Sequence, residues 1–381
     1  MKRALSNCRI FDGDQLHSGF AVLLEGDRVS ALVPESDIPG SFTDKFDLEG
    51  HILAPGLIDI QVNGGGGVMF NDAPSVETIR AIGEAHRRFG TTGFLPTLIS
   101  TDSVTMAKAI GAVDEAIADG VPGVLGIHLE GPHLNPGRRG IHHASRFSRI
   151  DESAFELLTS LQAGCTLLTI APECTNPEMI TRLTGQGVRV FGGHSDASYD
   201  QTREALAAGL QGFTHLFNAM SQMESREPGM VGAALEDAGS WCGLIADGQH
   251  IHPTVFSVAV AAKPRGYSVL VTDAMACVGS NKRTFNFDGL EIHVADGSCR
   301  LSSGSLAGSD LDMITAVRNA MRFARLELTE ALRMASVYPA HALGLEDQLG
   351  YIRVGYRASF IEIDEELKLY RSWIDGEVGE E

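Results

Sequence analysis

From Gly56 onward, short apolar runs alternate with amphipathic helical segments, and this alternation constrains the chain more than any other feature. Eight runs read as buried strands: Leu57–Val62, Gly93–Thr97, Val124–Leu129, Thr166–Ala171, Val188–Phe191, Gly212–Thr214, Gly243–Ala246 and Ser268–Thr272. Helical candidates separate them at Ser75–Phe89, Ser103–Ala118, Glu152–Gln162, Pro177–Leu183, Gln201–Ala208 and Thr254–Ala262, and Asp310–Arg325 follows the last strand. Strands that alternate with helices pair in parallel, and eight such units close a barrel. The expected class is therefore α/β, a (β/α)8 TIM-type barrel.

The two ends of the chain have a different texture. Residues 1–52 alternate apolar and polar positions between turn signals, as in FAVLLEGDRVSAL, which predicts short antiparallel strands and no helix. Beyond Pro339 the segments 351–355, Ser359–Ile363 and Leu367–Trp373 again read as strands. The ends are expected to pair as a small β-sandwich domain, residues 1–53 with 344–381, beside a barrel domain of residues 54–343. A further β excursion is predicted at Val278–Ser305, with hairpin turns at Asp288-Gly289 and Asp296-Gly297, in a place where it could cover the barrel mouth.

Charge narrows the choice of partners. A net charge of −19 opposes non-specific binding to nucleic acid and to anionic membranes, so an anionic ligand needs a local basic pocket. Six cysteines at 8, 165, 174, 242, 277 and 299 form no CxxC pair, which suggests reduced thiols in a cytoplasmic protein. The N-terminal MKRALSNCRIF has no apolar signal core, and no apolar run reaches membrane-spanning length.

Chemistry concentrates at the strand ends. In VLGIHLEGPHLN, an apolar strand runs directly into Glu130 before a Gly131-Pro132 stop. Gln61 and Asn63, His194, His215, Asp247 and His250, and Asp273 follow the first, fifth, sixth, seventh and eighth strands. In a barrel these tips form a ring around one mouth, where a glutamate and two histidines make an open three-ligand site for a divalent metal. Asp273 reads either as a helix cap or orienting residue, or as the general base beside an activated water. His17, His51, His86, His252, His293 and His341 read as surface or packing residues, His128 as a satisfied core histidine, and His133 and His143 stay open.

The motifs APGLIDIQVNG (54–64), HLEGPHLNPGRRGIH (128–142), GGHSDAS (192–198), THLFNAMSQMESREPG (214–229), ADGQHI (246–251), TDAM (272–275) and SLAGSDL (305–311) together resemble the N-acetylglucosamine-6-phosphate deacetylase family of the amidohydrolase superfamily. The resemblance covers essentially the whole chain. It implies one divalent metal, Zn2+ first, held by Glu130, His194 and His215, with Asp273 as acid/base and His142 at the acetyl carbonyl. It also implies substrate contacts from Ile141, His142, Asn218, Ala219, Asp247, His250 and the loop Leu306, Ala307, Gly308. Arg226 would hold the sugar phosphate across a homodimer interface, although Glu224 and Glu227 beside it also fit an ordinary surface charge cluster. The superfamily's first-strand His-x-His pair is replaced here by Gln61-Val62-Asn63, and amides bind zinc poorly, which argues against a second metal. Met275 is larger than some relatives have at this point, which affects the expected shape of the acetyl pocket. The rival readings are a deacetylase of another amino sugar phosphate, such as the galactosamine epimer, and an inactive barrel that serves as a binding module.

Overall fold

The structure is a computed structural model that describes residues 2–295 and 297–379. Its centre is an eight-stranded parallel sheet: β1 (Leu57–Val62), β2 (Thr91–Ile99), β3 (Gly126–Glu130), β4 (Cys165–Ile170), β5 (Arg189–Gly192), β6 (Gly212–Phe213), β7 (Trp241–Ile245) and β8 (Ser268–Val271), paired in chain order. These strands are buried on both faces, as parallel strands under a helical layer must be, which is why they read as continuous apolar runs. The sheet closes between β8 and β1. Asp273 N donates to Gln61 O at 3.0 Å and Asn63 N to Ala274 O at 2.9 Å. The buried Asp59 carboxylate adds a side-chain clasp, accepting from Gln61 N and Thr272 N at 3.2 Å each and from Thr272 Oγ1.

Helices α1 (Val76–Arg87), α2 (Ser103–Ala118), α3 (Glu152–Leu158), α4 (Pro177–Gly185), α5 (Tyr199–Ala207), α6 (Gly229–Glu236), α7 (Pro253–Ala262) and α8 (Met313–Ala324) follow the eight strands in turn. Their starts are written locally. Ser75, Asp102, Asp151, Asn176 and Asp312 each accept a backbone N–H of the first turn, and Ser198 with Gln201 forms a capping box. Helix α6 was not expected from the sequence. Its residues Gly229 to Leu235 are all buried and show no polar stripe, so the segment carries no helical period. Two more helices, Leu328–Ala335 and Val337–Leu343, pack against β1 and β8.

The chain ends build two sheets over a shared core that includes Leu5, Ile10, Val22, Leu53, Phe360 and Trp373. Phe360–Ile363 pairs antiparallel with Ile52–Pro55, which ties the tail to the N-terminal segment. Three expectations need correction. The N-terminal strands are not all antiparallel: Lys2–Ser6 pairs in parallel with Asp44–Asp47, and Arg9–Phe11 with Ile52–Pro55. Period-two alternation reports which face is buried and says nothing of strand direction. A short 3-10 turn also stands at Glu35–Asp37, where no helix was expected. Residues 351–355 are not a strand. Gly355 has φ +89° and the segment forms no ladder, with Ile352 N donating to Asp12 O and Gly355 N to Val29 O.

The β excursion forms a four-stranded sheet of Thr284–Phe287, Leu290–Ala295, Ser298–Leu301 and Leu306–Ser309. Asp288 and Gly289 take φ +52° and +80°, the pair of left-handed residues that a tight hairpin turn requires. Asp296, of the second expected turn, lies outside the described residues. The last strand is stitched to the β8 tip, with Met275 N donating to Ser309 O at 3.0 Å and Ser309 N to Asp273 O at 2.9 Å. No helix among the described residues is long and apolar enough to cross a membrane.

Candidate active site

Glu130 is the last residue of β3, while His194, His215 and Asp273 each stand two residues beyond the ends of β5, β6 and β8. These last three have φ values of +48°, +35° and +53°, in the left-handed region that costs a non-glycine residue about 1–3 kcal/mol. Such strain is tolerated where the surrounding structure enforces it, and here it accompanies convergence of all four side chains at one barrel mouth. Gly131, at φ +83°, follows Glu130. A Cβ there would lie 2.2 Å from Ser100 Oγ, so this turn requires glycine.

Glu130 Oε1 lies 2.9 Å from His215 Nε2 and 3.2 Å from His194 Nε2, and the two Nε2 atoms are 3.0 Å apart. His194 Nδ1 is 2.8 Å from the Arg138 carbonyl, which can only accept, so Nδ1 carries the proton and Nε2 of the neutral ring presents a lone pair. That lone pair faces a carboxylate oxygen and a second imidazole nitrogen. A buried set of Lewis bases this close fits a cation between them, and the combination of one carboxylate with two imidazoles suits a divalent metal. His215 Nδ1 is buried without a partner among the described residues.

Asp273 lies beside this trio. Its Oδ1 accepts from Asn63 Nδ2 at 2.7 Å and from Gln61 Nε2 at 3.1 Å, and Gln61 Nε2 is also 3.2 Å from Glu130 Oε1. Burial pushes the Asp273 carboxyl up, and the neighbouring Glu130 carboxylate adds to the rise. A carboxyl moved in that direction is better matched to taking up a proton near neutral pH.

A cavity of about 170 Å³ opens in front of these groups. Ile141, His142, Asn218, Ala219, His250, Leu306 and Gly308 stand on its wall with the four tip residues. Ala307 is buried behind the wall in the core of the excursion sheet. Asp247 sits behind His250, with Oδ2 2.6 Å from His250 Nδ1, and so orients that ring. Arg226 is exposed on the loop between β6 and α6 and does not line the cavity of its own chain. His142 Nδ1 is 2.7 Å from Ser100 Oγ, and burial followed by the nearby His194 holds its pKa well below the usual imidazole range.

Ser100 and Ile99 were missed in the sequence. Both belong to the tip of β2, where the same rule of reading past each strand end would have found them. Glu173, just beyond β4, was missed as well; it accepts from Ser195 Oγ and Asp196 N at 2.6 Å each and so anchors the loop carrying His194. Met275 fills the wall opposite Gly308, where a Cβ would come within 2.4 Å of Met275 Cγ. The remaining histidines are structural. His128 bridges Thr97 and Thr169, His86 meets Gly64 O, His133 meets Ser148 O and His143 meets Asp288 O.

A sequence model of the amidohydrolase family matches residues 52–378, and one of the NagA composite domain matches residues 3–53. The N-acetylgalactosamine-6-phosphate deacetylase of a Shewanella species is 44% identical over 333 residues, covering 87% of this chain and 84% of the relative. Among solved structures, N-acetylglucosamine-6-phosphate deacetylase from Pasteurella multocida superposes with a TM-score of 0.96 at 34% identity, over the whole of both chains. A mutant of the Mycobacterium smegmatis N-acetyl-D-glucosamine-6-phosphate deacetylase, in complex with N-acetyl-D-glucosamine-6-phosphate, superposes with a TM-score of 0.91 at 29% identity, over 99% of each chain. On this match and on the barrel that carries it, the chain belongs to the amidohydrolase family.

Proposed function

We propose that this protein hydrolyses the acetamide of N-acetyl-D-glucosamine 6-phosphate, releasing acetate and D-glucosamine 6-phosphate. The observation that carries the reading is the convergence of Glu130, His194 and His215 beside Asp273 at the floor of one cavity. Glu130, His194 and His215 would hold one divalent metal, Zn2+ by the chemistry of the donor set. When bound, such an ion lowers the pKa of water toward roughly 7 and polarises a carbonyl. Asp273 takes a proton from the attacking water through Oδ2, since both amide donors fall on Oδ1. His142, held by the 2.7 Å contact between its Nδ1 and Ser100 Oγ, sets its ring beside the carbonyl oxygen as that oxygen gains charge. Asp273 then returns a proton to the nitrogen as the C–N bond breaks, because an amine leaves poorly unless protonated. Asn218, Ala219, His250 and the Leu306 to Gly308 loop surround the sugar.

Arg226 is assigned to the phosphate of the neighbouring site in a homodimer. Its exposure and its position outside its own chain's cavity support that assignment, as does the planar fork that suits phosphate oxygens. A cytoplasmic setting, where thiols stay reduced, suits the six free cysteines.

A second reading, the galactosamine epimer, fits the 44% identity to a deacetylase of that name. The deciding experiment measures acetate release by purified, metal-analysed protein from both N-acetylated 6-phosphates and from the unphosphorylated sugar. Faster turnover of the glucosamine epimer is expected. A preference for the galactosamine epimer would select the second reading, and no acetate from either would remove both.

A further inference from the structure

Asn63 holds a buried acceptor for which the described residues offer no donor. The residue is 1% exposed and lines the cavity, and its backbone is locked into the barrel closure by Asn63 N to Ala274 O at 2.9 Å and Phe70 N to Asn63 O at 2.9 Å. Its Nδ2 donates to Asp273 Oδ1 at 2.7 Å. That contact decides the amide orientation, because the opposite flip would set two acceptors against each other. Oδ1 is therefore the free atom, and it is buried without any hydrogen-bond partner among the described residues. Leaving such an atom unsatisfied carries its full desolvation penalty, so a site that keeps one beside a cavity suits a ligand that brings a donor.

We infer that Asn63 is a catalytic residue whose Oδ1 receives an N–H of the reacting nitrogen. The inference rests on the deacetylase reading above. The nitrogen must approach Asp273 to collect its proton, and Asn63 is bonded to that same carboxylate, so one atom of the substrate meets both. In the overall step water adds to the amide carbon, the C–N bond breaks with its electron pair moving to nitrogen, and acetate and an ammonium group leave. The amide nitrogen brings a single N–H and the ammonium brings three with a full charge. Hydrogen bonds to ionised donors are roughly twice as strong as neutral ones, so the Asn63 contact strengthens as the bond breaks. An interaction that grows along the reaction raises turnover more than it tightens substrate binding.

The test compares inhibition by glucosamine 6-phosphate, which carries the ammonium, with inhibition by glucose 6-phosphate, which carries a hydroxyl there. In Asn63→Ala with full metal content, Ki for glucosamine 6-phosphate should rise about tenfold and Ki for glucose 6-phosphate should stay within about twofold, the scale of one charge-assisted contact. In the same variant kcat should fall more than KM rises. Gln61→Met removes the other amide donor to Asp273 while leaving Asn63 in place, and it should keep the parental ratio of the two Ki values. If Asn63→Ala weakens both inhibitors equally or neither of them, or if Gln61→Met reproduces its ratio, Asn63 only positions Asp273 and the inference falls. Should the alanine variant not fold, Asn63→Ser serves, since its hydroxyl is too short to reach the same place. Acetate release by the parent enzyme reports on the underlying deacetylase reading, so failure of that reading is seen separately.

Discussion

Asp273 receives two amide donors on one oxygen and stands beside the Glu130, His194 and His215 trio without belonging to it. Asp273→Asn should therefore keep metal and substrate binding and lose on the order of 10²–10⁴ in turnover, the usual worth of a positioned acid/base. Near-parental turnover in that variant would transfer the base to another group. The trio itself predicts a different signature. His194→Ala and His215→Ala should lose both metal and activity while the barrel stays folded, because strand-tip residues serve the mouth and the packed layers lie below. Elemental analysis of the parent should find about one tight divalent metal per chain, since Gln61 and Asn63 supply amides where a second zinc would want imidazoles. Two tight metals would contradict this.

At the scale of elements, two joints hold the mouth. One is the contact between the β8 tip and the last strand of the excursion, where Gly308 lies against Met275 at φ +68°. Gly308→Ala would drive a Cβ to 2.4 Å from Met275 Cγ and 3.0 Å from Asp273 O. A loss of about 1–3 kcal/mol by chemical denaturation, together with lower kcat, is expected from that overpacking. The other joint is the Asp59 clasp between β1 and β8. Burial pushes the Asp59 carboxyl up to about 7, against hydrogen bonds from Thr272 and Gln61. A carboxyl whose folded pKa is raised contributes stability that is present below its unfolded pKa, about 4, and is lost as pH rises through 7. The margin in Tm of the parent over Asp59→Asn should thus shrink between pH 5 and pH 8. A margin independent of pH would mean that Asp59 is ionised throughout.

For the whole molecule, a net charge of −19 repels a phosphate dianion at long range, so recognition depends on a few donors close to the ligand. Arg226→Ala should raise KM for the 6-phosphate strongly and leave the weak activity on the unphosphorylated sugar nearly unchanged. Equal losses on both would place Arg226 in support of the fold. Mixing Arg226→Ala chains with Asp273→Asn chains tests assembly, because a mixed dimer in which the arginine crosses over contains one complete site. Recovered acetate release is expected, and none in proven mixed dimers would assign the arginine to its own chain.

The amino-acid sequence alone determined the barrel, because eight buried strands and their capped helices are local patterns of period and punctuation. It also placed Glu130, His194, His215 and Asp273 at strand tips, since that position depends only on where each apolar run ends. Tertiary structure decided what local pattern does not encode. Strand direction in the terminal sheets depends on where the chain returns, and helix α6 is buried from Gly229 to Leu235 and shows no stripe. The tautomer of His194, the clasp of Asp59, the Ser100 contact to His142 and the unpartnered oxygen of Asn63 come from atoms far apart in the chain. Hydrogen bonds act over about 3 Å, and only closure of the barrel brings such residues within that distance.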